Sequence, residues 1–518
     1  MKTTYLLLLY IMLPGFVTAQ DKAQNPIIWA DVPDMAIVRV DGTYYMASTT
    51  MHMSPGLPLM KSTDLVNWEI VSYAYQTLAD NAALRLEDGE NAYGRGSWAP
   101  SLRYHNGLFY ASTFSATSGK THIYTTSNIE NGPWEEISFS PSIHDHSLFF
   151  DEDGRIYLIW GVGRISIAEL KEDLSGLKEE TQRVLIDNAS APAGDNIMLP
   201  AEGSQLFKVN GMYYLFNITW VRGGMRKVII HRANHIDGPW EGRLALRDRG
   251  IAQGGLIDTP GGDWFAYLFR DYGAVGRIPY LVPVTWEDGW PVLGVNGEAP
   301  DELDLPPGKG LSPGIVSSDD FMRRRGEPDL PLVWQWNHNP DNAHWQINRR
   351  REYLRITTGR VDSDVLQARN MLTQRTFGPY SSASTLVDVS NMKDGDFAGL
   401  IALQIQYGFV GIKMEDGQKS VIMVSAQSEE PVVIESIPLN TNSVHLRIDC
   451  DFLDRNDKAR FYYSLDGETW TRIGDELQMA YTLPHFMGYR FGLFNYATQT
   501  PGGSVDFKHY HISDTINR

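Results

Sequence analysis

Three carboxylates, Asp34, Asp145 and Glu202, each stand just ahead of an apolar stretch of similar make-up in this 518-residue chain. Trp98 and Gln253 hold the matching places ahead of two further stretches. Two carboxyl groups in opposite protonation states can break a glycosidic bond. One gives a proton to the leaving oxygen, and the other activates water or attacks the sugar. A third acid nearby raises a donor's pKa by like-charge repulsion. A single acid in such a chain is usually a solvated turn residue. Three acids at equivalent places in a repeat call for another explanation, provided the fold brings them together.

The elements that must do so are repeated hairpins. Pro200 to Asn217 reads P-A-E-G-S-Q-L-F-K-V-N-G-M-Y-Y-L-F-N. It is a carboxylate, a short strand, an Asn-Gly turn and an aromatic strand, and Asn-Gly supplies the two positive φ values of a type I′ turn. Aligning on the turn glycine gives five such units, at Gly42, Gly107, Gly154, Gly211 and Gly262, spaced by about 45 to 65 residues. A second signature recurs in the same order, S-T-D-L-V-N-W to Trp68, S-N-I-E-N-G-P-W to Trp134 and A-N-H-I-D-G-P-W to Trp240. It reads as an outer hairpin whose tryptophan packs between sheets. Repeats of this length with four strands each predict a five-bladed β-propeller. In a propeller the residues heading the innermost strands converge on a funnel at one end of the axis. By glycine alignment Asp34 is one residue out of step with the other two acids.

The rest of the chain bounds the reading. Met1 to Ala19, with Lys2, an apolar run from Tyr5 to Leu13 and Val17-Thr18-Ala19, reads as a signal peptide. The expectation is therefore export, to the periplasm or beyond the cell, with no membrane span once that segment is removed. Cys450 is the only cysteine, so neither a disulfide framework nor a cysteine-rich zinc site is available. The net charge of −18 and the lack of a basic cluster argue against nucleic acid. Residues 20–298 hold the five repeats. Residues 299–314, rich in proline, glycine and acids, read as a linker or a strap across a surface. Residues 315–518 carry alternating strands and no long helical pattern, as in S-T-L-V-D-V and R-F-Y-Y-S-L-D-G-E-T-W-T-R-I. They predict an all-β sandwich of jelly-roll type, serving as a sugar-binding module or a brace.

The motifs P-D-M-A-I-V-R-V-D-G-T-Y-Y from Pro33, W-A-P from Trp98, H-D-H-S-L-F-F-D-E-D-G from His144, A-E-G-S-Q-L-F-K-V-N-G from Ala201 and G-R-I-P-Y-L-V-P-V-T-W-E-D-G-W-P from Gly276 lie in order along the repeats. In these the chain resembles glycoside hydrolase family 43, and its second half resembles that family's concanavalin-like C-terminal domain. The resemblance implies Asp34 as the general base, Glu202 as the general acid and Asp145 as the third acid that tunes and places it. Asp31 is the rival base in W-A-D-V-P-D. Inversion at the anomeric carbon is implied too, which sets the acid and base about 6.5–9.5 Å apart. Arg277 would reach the sugar and the acids, Trp98 would wall the sugar ring, and His52 would touch substrate in a loop where relatives often carry an aromatic residue. Gln253 stands where many relatives hold an axial histidine beside a hydrated ion. No cofactor is required for the chemistry, and the resemblance allows a structural calcium ion.

The expected activity is exo-hydrolysis of pentose residues from plant hemicellulose, xylan or arabinoxylan. β-D-Xylosidase is the first choice, and α-L-arabinofuranosidase or a dual activity the alternative. The partner is an oligosaccharide or polysaccharide. Two other readings remain at this stage: a non-catalytic carbohydrate-binding protein, and a retaining enzyme of similar shape acting on fructans.

Overall fold

The computed structural model describes residues 22–428 and 430–517, so the leader read at residues 1–19 lies outside the described residues. Five four-stranded sheets follow one another along the chain, each made of strands from its own stretch. Their first strands are Ala36–Val40, Ser101–His105, Ser147–Phe150, Ile197–Val209 and Ala252–Asp258. Each of these neighbours the first strand of the next sheet, and the fifth neighbours the first, which closes the expected five-bladed propeller. The two Asn-Gly turns obey the predicted chemistry. Asn210 and Gly211 have φ of 51° and 80°, and Asn106 and Gly107 have 49° and 82°. Such a pair matches the twist of a two-residue hairpin.

The tryptophan signature does what its recurrence suggests. Trp68 belongs to the buried apolar cluster that joins blades five and one and includes Ile257 and Phe265. Trp134 packs against the apolar cluster of blades one and two, which includes Leu57, Leu59 and Ala111, and Trp240 against that of blades three and four, which includes Phe149, Leu206 and Tyr213. Burying the Trp68 ring, 6% exposed, stabilises its seam by about 1.5–3 kcal/mol, and the partly buried Trp134 and Trp240 contribute less. The ring is tied shut from outside. Ala23–Gln24 pairs with Glu302–Leu303, and the Asn25 side-chain amide donates to the carbonyls of Leu281 and Pro300. The proline-rich stretch runs on as a strap, with Ile70 N–H donating to Gly314 O and Lys309 N–H to the Asn67 side chain.

The second lobe is the expected sandwich, with two large antiparallel sheets. One sheet includes a strand the sequence did not announce. Met53–Ser54, from the loop after the first blade's inner hairpin, adds to its edge beside Gln335–Asn337. The Gln335 amide donates to Thr50 Oγ1 and to Pro55 O across the same seam. This corrects the expectation for His52. Its ring is 1% exposed, bonded through Nε2 to Asn337 Oδ1 at 3.0 Å and packed against Tyr93, His338 and His485. The residue that was to touch substrate is part of the joint between the lobes, because the loop carrying it is used as an edge strand.

The joint is pH-sensitive by construction. Burial pushes His52 down to about 3 and holds His338 and His485 well below the usual range. An unfolded chain takes up protons at these histidines near 6.5, whereas the folded one does not. Stability is therefore full above about 6.5 and is lost as pH falls below it, by about 1.4 kcal/mol per pH unit for each histidine. Urea unfolding from about pH 7 to about pH 5 should show this slope, and His485→Phe should reduce it. An equal slope in the two proteins would show that the joint does not set it.

Candidate active site

The acids converge, Asp34 and Asp145 from just ahead of their strands and Glu202, against expectation, from within Ile197–Val209. Asp34 and Asp145 both precede their strands by two residues with left-handed backbones, φ 54° and 45°. Gln253 has φ 53° and Gly203, just after Glu202, has φ 66°. Non-glycine residues held there are strained, and such strain collects where side chains must be aimed. The apparent misalignment of Asp34 has two local causes. The blade-four strand carries an extra residue between Glu202 and Gln205, opposite Ile218 and Phe216. The blade-three hairpin has a longer turn, from Asp151 to Arg155. Both add a residue between acid and glycine, while the acid itself keeps its place.

Asp34 is buried and fixed by Arg277, whose Nη1 donates to Asp34 Oδ2 at 2.7 Å. The guanidinium is 3% exposed, so a buried cation faces a buried anion. Burial raises the Asp34 carboxyl above its ordinary value, and Arg277 pulls against that rise. Asp31 plays a different part. Its Oδ1 accepts from Arg277 N–H and its Oδ2 from Gly488 N–H, so it ties the arginine's backbone and a second-lobe loop together. With both oxygens engaged by backbone, Asp34 is the acid left to face the funnel.

Asp145 and Glu202 form a second group with His144. Nε2 of His144 lies 3.2 Å from Glu202 Oε2 and 3.7 Å from Asp145 Oδ2. Each of the three offers a ligand-type atom within 4.8 Å of the others. Burial pushes Asp145 up to about 7; His144 opposes that, and Glu202 and Asp34 add to it. For His144, burial works against the charged form, yet the hydrogen bond to Glu202 and the charge of Asp145 carry it up to about 9.

Below the acids is an axial chamber lined by Asp34, Asp145, His146, Gln205 and Gln253, with a volume of about 10 Å³. That is room for about one water. Calcium gathers about six to eight oxygens, so a hydrated calcium does not fit there as these side chains stand. The Gln253 side chain lies directly over Gly203, where a Cβ would meet it at 3.0 Å.

Trp98 is half-exposed and walls one side of the funnel, with its ring 6.4 Å from His144 and 4.8 Å from Phe486. Phe486 comes from the second lobe. Its ring also covers the Arg277 guanidinium at 4.8 Å, and its carbonyl accepts from Arg277 Nη2 at 3.4 Å. The funnel wall is thus shared by both lobes. Sequence reading placed Asp34, Asp145, Glu202, Trp98, Arg277 and Gln253 at this end. It missed His144, although the residue sits in a quoted motif, and it missed Phe486. Nothing repeats around Phe486, so its loop carries no periodic signal.

The chain matches known proteins in sequence and fold. Residues 23–291 match the family described as Glycosyl hydrolases family 43, and residues 318–513 match the Beta xylosidase C-terminal Concanavalin A-like domain. A protein of Xylanibacter ruminicola named putative beta-xylosidase is 30% identical over 86% of this chain and 82% of its own. A beta-xylosidase of Formosa agariphila is 28% identical over 93% and 88%. A non-reducing end alpha-L-arabinofuranosidase of Bacteroides ovatus is 25% identical over 76% of each. Among solved structures, a bifunctional GH43-CE protein of Bacteroides eggerthii superposes with a TM-score of 0.95 at 63% identity over 96% of this chain. The chain spans 64% of that longer protein.

Proposed function

Since the chain belongs to glycosyl hydrolases family 43, we propose that it is an inverting, exo-acting glycosidase that removes pentose residues from xylan or arabinoxylan. β-D-Xylosidase activity is the first assignment and α-L-arabinofuranosidase activity the alternative. The names of the relatives support both sugars. Export, read from residues 1–19, belongs to the same proposal.

One observation carries the assignment of roles. The carboxylates fall into two unlike environments, Asp34 against a guanidinium and Glu202 with Asp145 against a half-exposed imidazole. A guanidinium stays charged at any working pH and so favours the anion beside it. Asp34 is therefore the proton acceptor: it takes a proton from the water that attacks the anomeric carbon. Glu202 delivers a proton to the departing oxygen. Asp145 stands beside Glu202 and shares its histidine. Trp98 and Phe486 present ring faces that exclude water around the sugar. No step draws on a metal or other cofactor.

The pH–rate profile follows. The rate rises as Asp34 loses its proton, on a limb displaced above the ordinary aspartate value by burial. It falls as the groups beside Glu202 lose their protons, Asp145 pushed up to about 7 and His144 to about 9. Groups this close titrate as a unit, so the limb belongs to the cluster. A bell measured on kcat/KM is expected. A flat profile would remove the two-group scheme.

The deciding experiment is release of the pentose from an alkyl β-D-xylopyranoside and an alkyl α-L-arabinofuranoside, whose leaving groups need a proton, by the parent and by Glu202→Gln. Release from either sugar by the parent alone supports the glycosidase and names the pentose. Silence on both, with binding to xylo-oligosaccharides retained, would favour a carbohydrate-binding protein.

A further inference from the structure

Each turnover in this scheme leaves the site with its protons misplaced. Glu202 has lost one to the leaving group, and Asp34 has gained one from water. Asp34 is buried under Arg277, and Asp145 is 7% exposed, so neither gives Glu202 an open route to solvent. His144 does. Its side chain is 46% exposed, against 18% for Glu202. Its Nε2 is on Glu202, and among the described residues Nδ1 has no protein partner. Phe114, at 5.1 Å edge-on, and Trp98 flank the ring. The neighbouring histidine, His146, is built differently. It is 1% exposed, with Nδ1 on Ile143 O and Nε2 on Ser112 Oγ, and burial holds it down at about 4. One histidine is locked into the wall, and the other bridges the acid and the solvent.

We propose that His144 is the proton relay that recharges Glu202 between turnovers. The inference rests on Glu202 being the donor. In the step, the Nε2–H bond of the imidazolium breaks as a bond forms between that proton and Glu202 Oε2, which leaves a neutral ring. The ring then takes a proton from water or a buffer acid at its solvent-facing edge, while Asp34 releases the proton it gained. The carboxylates facing His144 are Glu202 and Asp145, with Asp34 beyond them, and no lysine or arginine contacts its ring among the described residues. His144 is a positioning and relay residue, because it acts on the sugar only through Glu202.

The test compares His144→Ala and His144→Gln with the parent on a xylo-oligosaccharide, whose sugar leaving group takes the Glu202 proton. Recharging follows the first irreversible step, so kcat should fall about tenfold while kcat/KM holds. Added imidazole should restore kcat in His144→Ala. Glutamine keeps a hydrogen bond to Glu202 yet carries no proton, so His144→Gln should stay slow. A purely structural role would be rescued by glutamine and would ignore imidazole, and either result overturns the relay. Glu202→Gln is run beside them. Loss of turnover there with normal kcat in both His144 variants would sink the relay alone; parental turnover there would sink the donor assignment as well. A readout free of turnover is the His144 ring followed by NMR. It should titrate near 9 in the parent and move down toward 6.5 in Glu202→Gln, and an unmoved titration contradicts the proposal.

Discussion

Replacing Glu202 by glutamine lowers turnover of an unactivated xyloside by about 10²–10⁴-fold and leaves KM nearly unchanged. The amide keeps the size of the side chain and its contact with His144, so the funnel is not expected to collapse. What is lost is the proton given to the leaving oxygen, an interaction made only in the transition state, and such losses appear in kcat. The loss should shrink with the leaving group's own pKa. A p-nitrophenolate departs with little help, whereas a sugar hydroxyl does not. A series of aryl and alkyl pentosides therefore gives a steeper dependence on leaving-group basicity in Glu202→Gln than in the parent. An equal dependence in both proteins would move the donor elsewhere.

Replacing Asp34 by asparagine gives a loss of similar size that ignores the leaving group, because the missing step is activation of water. It carries a second cost. Arg277 is 3% exposed and donates to Asp34 Oδ2. Neutralising that partner leaves a buried guanidinium facing an amide, which destabilises by about 3–5 kcal/mol. The urea midpoint should drop together with the rate. Asp31→Asn separates the two effects. Both Asp31 oxygens accept backbone N–H groups, from Arg277 and Gly488, and an amide can accept only one of them. The expected result is a stability loss of about 1–3 kcal/mol with most of the turnover kept. Complete loss of turnover in Asp31→Asn and little in Asp34→Asn would reverse the assignment of the base.

How much of this was legible depended on repetition. The hairpins announced themselves because each inner hairpin carries a turn glycine, and Asn210-Gly211 and Asn106-Gly107 carry the two-residue turn outright. The acids could be found because the propeller turns an equivalent place in each repeat into a shared place in space. Single events carried no such signal. Met53–Ser54 reads as a loop in sequence, and it becomes a strand only because the second lobe offers an edge beside Trp336 and Asn337. His52 looked available to substrate for the same reason, and that docking is what buries it. Phe486 reaches the funnel from a loop nearly three hundred residues beyond Glu202, which no local pattern predicts. His144 was visible beside Asp145, but its importance lies in a 3.2 Å approach to Glu202, fifty-eight residues away.

The measurement that tests the central claim most directly is the anomer formed first. Hydrolysis of an aryl β-D-xyloside, followed by proton NMR before mutarotation catches up, should show α-D-xylose appearing ahead of β-D-xylose. The α-L-arabinofuranoside, if that is the sugar cleaved, should give the β anomer first. Either result matches a base at Asp34 that sends water to the face opposite the leaving group. First appearance of the retained anomer would mean that a carboxylate attacks the sugar itself, and the division of labour between Asp34 and Glu202 would be contradicted.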